Sequence, residues 1–556
     1  MEYKNFEKKE KVKEIAAIFA FLRGFLGVPR LLPFISLSSF DLWEATQYPI
    51  RLPGPFFWLQ FKIMDAALCQ DVCITEDVLQ PLLKASSTSS LNDALQNLIE
   101  ISKTDAGRSD LTSKEILPMV LQLVQSLIHS FTPQPLLLSL RLLRNLCAGE
   151  VVNQDSFIEH NGVEALLAIV DGIECDDSGI AIIRAALQVL ANVSLAGKSH
   201  QHAVWNQFFP KTFLKIARIR RRETCDPLSM IIYTCSDGRI ELFNRLCESS
   251  GLTIIAEMTR TASEVGYGED WLKLLLSRIC LEECHFVEFF NMLSPDPATE
   301  NSGNAEKGDI HFTSGQAFLL CTVSEILNER LKEIQICSDF AFHVLDIFET
   351  ATKVVDFDTR GQSGLPTGHA LIDVLGYSLI IIRDICAQGS SLAAESEQGS
   401  EDIVFSFVSR GLLDLLLSLL RQLELPSSIR KTMKPDDMQG VTSERRKVCP
   451  YKGFRRDIVA VIGNCAYMRK QIQDEIRQKD GVFLLLQQCV LDEDNPFLRE
   501  WGIWCARNLL NGNQENQQLV ASLEMQGTVD VPELAQLGLR VEVDPSTRRA
   551  KLVNIS

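Results

Sequence analysis

An asparagine set in an apolar helical run, followed seventeen residues later by glycine, occurs twice at distant points of this chain, at Asn145 and Gly162 and at Asn464 and Gly481. The copies extend over Arg141–Val170 and Val459–Val490, and in each an apolar helix begins right after the glycine. One supersecondary pattern repeated hundreds of residues apart is the mark of stacked repeats, in which each unit buries its apolar face only against its neighbours. The asparagine column can be followed along the chain. It passes through Asn192, Thr234 (with Gly251 again seventeen residues on), Ile279, Glu325, Asp384, Asn464 and Asn508. The steps are 47, 42, 45, 46, 59, 80 and 44 residues.

Steps near 45 residues suit armadillo and HEAT repeats. The predicted fold is therefore all-α, an armadillo/HEAT-like right-handed helical solenoid with inserted loops and a short extended C-terminal tail. In this reading the asparagine marks the third helix of one repeat, and the glycine marks the turn into the last helix of the next. The two long steps hold sequence rich in Gly, Pro and Ser, which punctuates rather than packs. The division that follows is a helical N-terminal region at 1–134 and armadillo-like repeats over 135–423, with loops near 295–315, 358–368 and 388–402. A basic insertion follows at 424–453, then C-terminal repeats at 454–530 and an extended tail at 531–556. In the tail, Gly538–Asp544 and Arg548–Val553 alternate around Pro545, as a small hairpin would.

The 556 residues are 46% hydrophobic and 23% charged, enough apolar side chain for a continuous core. A formal charge of −17 opposes nonspecific nucleic-acid binding, which needs a basic footprint. The 16 cysteines fall mostly on apolar helical positions such as Cys147, Cys321, Cys465 and Cys505, as small hydrophobes in a reducing compartment do. No signal peptide and no integral membrane segment are read from the sequence, because the apolar runs are short and charge-broken. A cytoplasmic location is expected.

Trp504 precedes Asn508 by four residues, on one face of one helix. The pair resembles the Trp-x-x-x-Asn arrangement by which armadillo proteins hold extended peptides. Asn145, Asn192, Asn464, Trp504 and Asn508 are thus the candidate peptide groove. An amide offers a ligand backbone both donor and acceptor, and an indole covers side-chain stems. The favoured alternative is structural: such amides more often satisfy backbone groups of their own scaffold.

Residues 454–553 resemble the C-terminal homology region of the ataxin-10 family. The resemblance rests on RRDIVAVIGNCAYMRKQIQDEIRQKDGVFLLLQQC, on Asp492–Trp501 with Asn495, Pro496, Phe497, Arg499 and Glu500, and on Arg507–Leu510 with Asn516–Val520. Earlier, Arg144–Gly149 and Asn153–Gly162 also suit that family. The resemblance implies an armadillo-like fold, a cytoplasmic location, protein partners rather than a reaction, and roles in cytokinesis, cell growth and cell survival. Locally, Asn495–Pro496 reads as an N-cap followed by proline in the first helical turn, with Leu498, Trp501, Cys505 and Leu509 as core.

Catalytic signatures are absent from the sequence. There is no Walker A loop, GxSxG or HExxH, and Cys280, Cys284 and His285 lack a second pair at zinc spacing. Neither a metal nor another cofactor is expected. The basic stretches Lys215–Arg222 and Arg430–Arg456 do not interleave aromatics and read as solvated faces. The expected function is a non-enzymatic scaffold or adaptor that binds other proteins through extended segments or helices, with self-association open and no nucleic acid. The alternative is a regulator that touches a kinase, GTPase or glycosyltransferase through an inserted loop.

Overall fold

Leucine and isoleucine at helical spacing, with polar residues at the helix ends, give short helices that cannot bury their apolar faces alone. The computed structural model describes residues 88–130, 132–266, 270–295, 311–330, 333–392, 402–432, 446–523, 539–543 and 550–554. Residues 1–87 of the expected N-terminal region, the centres of the loops near 295–315 and 388–402, the middle of the basic insertion and parts of the tail lie outside these residues. Two compact units divide the chain. One takes the described residues of Pro53–Gly303 with Thr313–Thr322, and the other those of Asn304–Phe312 and Val323–Ser556.

The first unit opens with α1 (Thr88–Ile101), then runs through α2 (Asp105–Ser113), α3 (Ile116–Ser130) and α4 (Pro133–Leu146). Next come α5 (Val151–Glu159), α6 (Gly162–Gly172) and α7 (Asp177–Ser194), then α8 (Lys198–Phe208), α9 (Lys211–Ala217) and α10 (Arg222–Ser236). The last full triplet is α11 (Ile240–Cys247), α12 (Ser249–Val265) and α13 (Asp270–Ser277), with a π-helical turn at Arg278–Glu282. Then follow α14 (Phe286–Met292) and α15 (Ser314–Arg330), of which residues up to Thr322 belong to this unit and those from Val323 to the other. The third helices α1, α4, α7, α10 and α13 stack in sequence order, which is the armadillo arrangement.

The second unit contains α16 (Ser338–Val354), α17 (Ala370–Leu392), α18 (Ile403–Ser409), α19 (Leu412–Gln422) and α20 (Ser427–Thr432). It continues with α21 (Phe454–Ala466), α22 (Lys470–Gln478), α23 (Gly481–Leu486), α24 (Leu498–Leu510) and α25 (Gln514–Ala521). Here the stacked row is α16, α17, α21 and α24. The 59-residue step thus holds a whole extra helix, α16, as well as irregular chain; Glu325 lies on α15, outside the row. The tail forms an antiparallel hairpin of β1 (Leu539–Val543) and β2 (Ala550–Asn554), with Leu539 opposite Asn554 and Val543 opposite Ala550.

The glycines of the repeat have a steric cause, and they open the middle helix of a repeat rather than the last. A Cβ on Gly162 would lie 2.6 Å from the buried Phe157 ring, and one on Gly251 would lie 2.3 Å from the Leu246 carbonyl oxygen. On Gly481 it would meet Ile476 at 2.8 Å. The first helix of each repeat presses on the start of the second, and only glycine leaves the room. The chain turns between them through a left-handed residue at Asn161 (φ 57°) and Asp480 (φ 53°), the residue types that tolerate that conformation best after glycine.

Cys147, Cys465 and Cys505 are buried, Cys321 is half-buried, and burial pushes the Cys235 and Cys489 thiols up to about 12. They behave as hydrophobes rather than nucleophiles. No single described helix is long and apolar enough to cross a membrane.

Candidate functional site: the amide ladder

A helix leaves its last four carbonyls without intrahelical donors, and in a stack those ends face the neighbouring helix. Two members of the asparagine column, Asn192 and Asn508, supply such missing donors, and the other two bond the neighbouring helix elsewhere. Asn192 Nδ2 on α7 donates to the Arg144 carbonyl in the last turn of α4 at 2.8 Å. Asn508 Nδ2 on α24 donates to the Gly463 carbonyl in the last turn of α21 at 2.9 Å. Asn464 Nδ2 reaches the Arg383 carbonyl of α17 at 3.0 Å, and Asn145 Nδ2 reaches Ser102 Oγ just past α1 at 3.0 Å. The three carbonyl acceptors share one register, each belonging to the residue before the previous column position.

A second set of amides, not singled out from the sequence as donors, completes the capping. Asn153 Nδ2 bonds Leu146 O at 2.8 Å, and Gln154 Nε2 bonds both Cys147 O and Asn192 O at 2.9 Å. At the other end of the chain, Gln473 Nε2 bonds Ala466 O (3.1 Å) and Asn508 O (2.8 Å). Asn516 and Gln517 bond Leu509 O and Leu510 O at 2.9 and 2.7 Å. Each of these five side chains reaches back seven residues to the end of the preceding stacked helix. The signal was present as the Asn-Gln pair at 153–154 and 516–517, but the seven-residue reach emerges only once helix ends are fixed.

The other half of each ladder amide is differently used. Asn145 Oδ1 accepts from the Arg144 guanidinium at 3.0 Å. The Oδ1 atoms of Asn192, Asn464 and Asn508 accept no hydrogen bond from the described residues. Trp504 is half-buried one turn before Asn508, with the Arg507 guanidinium 4.8 Å above its ring, a cation–π contact. The nitrogens of the candidate asparagines thus fasten helices; Asn464 and Asn508 are buried, while Asn145, Asn192 and Trp504 are half-buried. The unit of 88–295 carries Asn145 and Asn192, and the other unit carries Asn464, Trp504 and Asn508.

The Asp492–Trp501 motif is a joint. Asn495 does not cap its own helix, whose flanking residue is Phe497 at φ 65°. Its Oδ1 accepts instead from the Arg455 N–H at the start of α21 at 3.0 Å, while its Nδ2 donates to Asp492 at 2.9 Å. Cross-helix capping wins because the tight Asp492–Phe497 turn delivers the side chain to α21 rather than forward. Around it Arg360 bridges Asp494 and Glu424, and Arg430 adds an ion pair to Glu424 at 2.6 Å. Trp501, expected in the core, is half-buried. Arg455 and Arg456 are not solvated, as read from the sequence. Arg455 is 2% exposed and bonds Gln488 at 3.1 Å, and Arg456 pairs with the buried Asp457 at 2.7 Å. The other basic stretch is also largely neutralised, by Lys215 with Asp171, Arg220 with Glu257 and Glu264, and Arg221 with Asp177.

Asp384 stands in the asparagine column of α17 but carries a carboxylate where the others carry a donor. Burial raises its pKa, outweighing the opposing pull of Arg383 2.8 Å away, and its Oδ2 has no hydrogen-bond partner. A carboxyl raised above its unfolded value near 3.9 gives its full stability below that value and loses it as pH rises through the folded pKa. Asp384→Asn is therefore expected to stabilise the protein by about 1 kcal/mol at pH 7. Thermal melts at pH 7 and pH 4 check this: the gain should fade at the lower pH, and equal gains at both would sink it.

Among the described residues no group of three or more His, Cys, Asp and Glu side chains is placed to hold a metal ion. Cys280 is buried in the π-helical turn, while Cys284 faces solvent.

Residues 454–552 match the family model described as the spinocerebellar ataxia type 10 protein domain. Ataxin-10 of Bos taurus is 26% identical over 420 residues, covering 72% of this chain and 78% of that protein. Ataxin-10 of Homo sapiens is 25% identical over 410 residues, with coverage of 72% and 78%. The ataxin-10 homolog of Dictyostelium discoideum is 40% identical over 92 residues, 16% of this chain and 15% of its own. Among solved structures, a designed armadillo repeat protein in complex with the peptide (KR)4 superposes with a TM-score of 0.30 at 15% identity, covering 44% of this chain and 98% of that one.

Proposed function

Taking as premise that the chain is a helical-repeat protein of the ataxin-10 family, we propose that it is a non-catalytic cytoplasmic scaffold whose stacked third helices bind extended segments of other proteins. The family's roles in cytokinesis, cell growth and cell survival are the setting in which such a scaffold would act. The observation that carries the reading is the side of α24, where the half-buried Trp504 indole, with the Arg507 guanidinium 4.8 Å above its ring, lies one turn before the buried Asn508. An indole of this kind is a typical anchor for a partner, and truncating one weakens binding by about tenfold or more.

Trp504→Ala tests this. Affinity capture from dividing cells, quantified against wild type, is expected to lose a defined set of bound proteins while the thermal melt shifts little. Recovery of the same set at the same level by the variant would remove the ladder face from partner binding.

A further inference from the structure

The ladder face of the first unit carries unbalanced positive charge. Arg141 and Arg144 sit on α4, and Arg184 sits on α7, two turns before Asn192. Arg141 and Arg184 are exposed and have no carboxylate within ion-pair distance among the described residues. Arg144 is half-buried, its Nη1 3.1 Å from Gln188 Oε1 and its Nη2 3.0 Å from Asn145 Oδ1, so neutral amides hold it and no acid balances it. Burial, then Arg141 and Arg184, lowers the Arg144 pKa, as expected for guanidiniums close enough to repel one another. The neighbouring basic residues Lys215, Arg220, Arg221 and Arg260 are all paired with acids. In a chain of formal charge −17, these three cations cluster without a counter-charge on one face of two stacked helices.

We infer that Arg141, Arg144 and Arg184 form a seat for an acidic peptide segment, held in extended form across α4 and α7. This rests on the scaffold reading and names its partner's chemistry. Stacked helices lie about 8–10 Å apart, and alternate side chains of an extended peptide are about 7 Å apart, so carboxylates two residues apart can engage one helix each. Guanidinium forks match carboxylates in geometry, and pairing relieves the repulsion among the three arginines. The Asn192 Oδ1, unbonded and two turns along α7 from Arg184, offers an acceptor for a peptide N–H. Nucleic acid is the less favoured occupant, because the seat is three residues wide and the surrounding chain is acidic.

The test is fluorescence anisotropy on the full chain with three labelled probes: an alternating Glu-Ala decapeptide, its Lys-Ala counterpart and a dT10 oligonucleotide. Wild type is expected to bind the Glu-Ala peptide, more weakly at 200 mM than at 50 mM salt, and to ignore the Lys-Ala peptide. R141E/R184E, which changes two exposed residues without ion pairs, is expected to weaken that binding at least tenfold with an unchanged thermal melt. Equal binding by the variant, no binding by wild type, or tighter binding of dT10 than of the Glu-Ala peptide each overturns the seat. If the seat fails while Trp504→Ala still loses its partners, the scaffold reading stands and only this assignment falls.

Discussion

Gly251→Ala is expected to destabilise the protein by about 3 kcal/mol, Gly162→Ala by less and Gly481→Ala least, within the range known for overpacked cores. The order follows from what each new methyl would strike. At Gly251 it meets backbone, with the Leu246 carbonyl oxygen at 2.3 Å and its Cα at 2.5 Å, so α11 itself must move. At Gly162 it meets the ring of Phe157, which is fully buried and has nowhere to swing. At Gly481 the contacts are longer, an Ile476 methyl at 2.8 Å and the Ile476 carbonyl oxygen at 2.9 Å, so a smaller shift relieves them. Gly172→Ala serves as the control, since nothing lies within 4 Å of the new methyl and alanine favours the helix. Urea unfolding followed by circular dichroism ranks the four. A Gly172 variant as unstable as the Gly251 variant would show that close packing is not what selects glycine here.

The repeat was legible because its two fixed points are steric and chemical necessities. Glycine is required where two helices press together, and asparagine where a donor must reach the neighbouring helix. Both survive as letters at constant spacing. What the letters could not convey was direction. Asn495 looks like a local cap because it precedes a proline and a helix, yet its acceptor faces α21, forty residues earlier in the chain. Arg455 and Arg456 belong to a basic run that reads as solvated, but Gln488 and Asp457 approach them only after α21 and its neighbours are packed.

Period misleads as well as direction. Glu325 sits at an acceptable step from Ile279, but the helix stacked on α17 is α16, which carries no mark of the column. An added helix and an added loop lengthen a step alike, so spacing alone does not separate them. The candidate site was partly readable. The column and Trp504 could be named, whereas the acceptor that each amide nitrogen finds depends on where neighbouring helices lie. The arginines of the first unit were invisible for a related reason: without structure, Arg184 has no known distance from Arg144.

Asn508→Asp tests most directly the claim that the ladder asparagines are helix-to-helix fasteners. The replacement keeps size and shape but removes the donor, and at a side chain 1% exposed it sets an oxygen 2.9 Å from the Gly463 carbonyl. The Gly463 carbonyl loses the donor from α24, and the new carboxylate is desolvated without a counter-charge, so the loss at pH 7 is expected to reach about 3 kcal/mol. A carboxyl in that place has its folded pKa raised, so its stability is present below the unfolded value near 3.9 and lost as pH rises. The decisive measurement is the urea unfolding midpoint of wild type and N508D at pH 7 and pH 4. A clear deficit at pH 7 that narrows at pH 4 is the expected result. Matching midpoints for the two proteins at both pH values would contradict the fastening role.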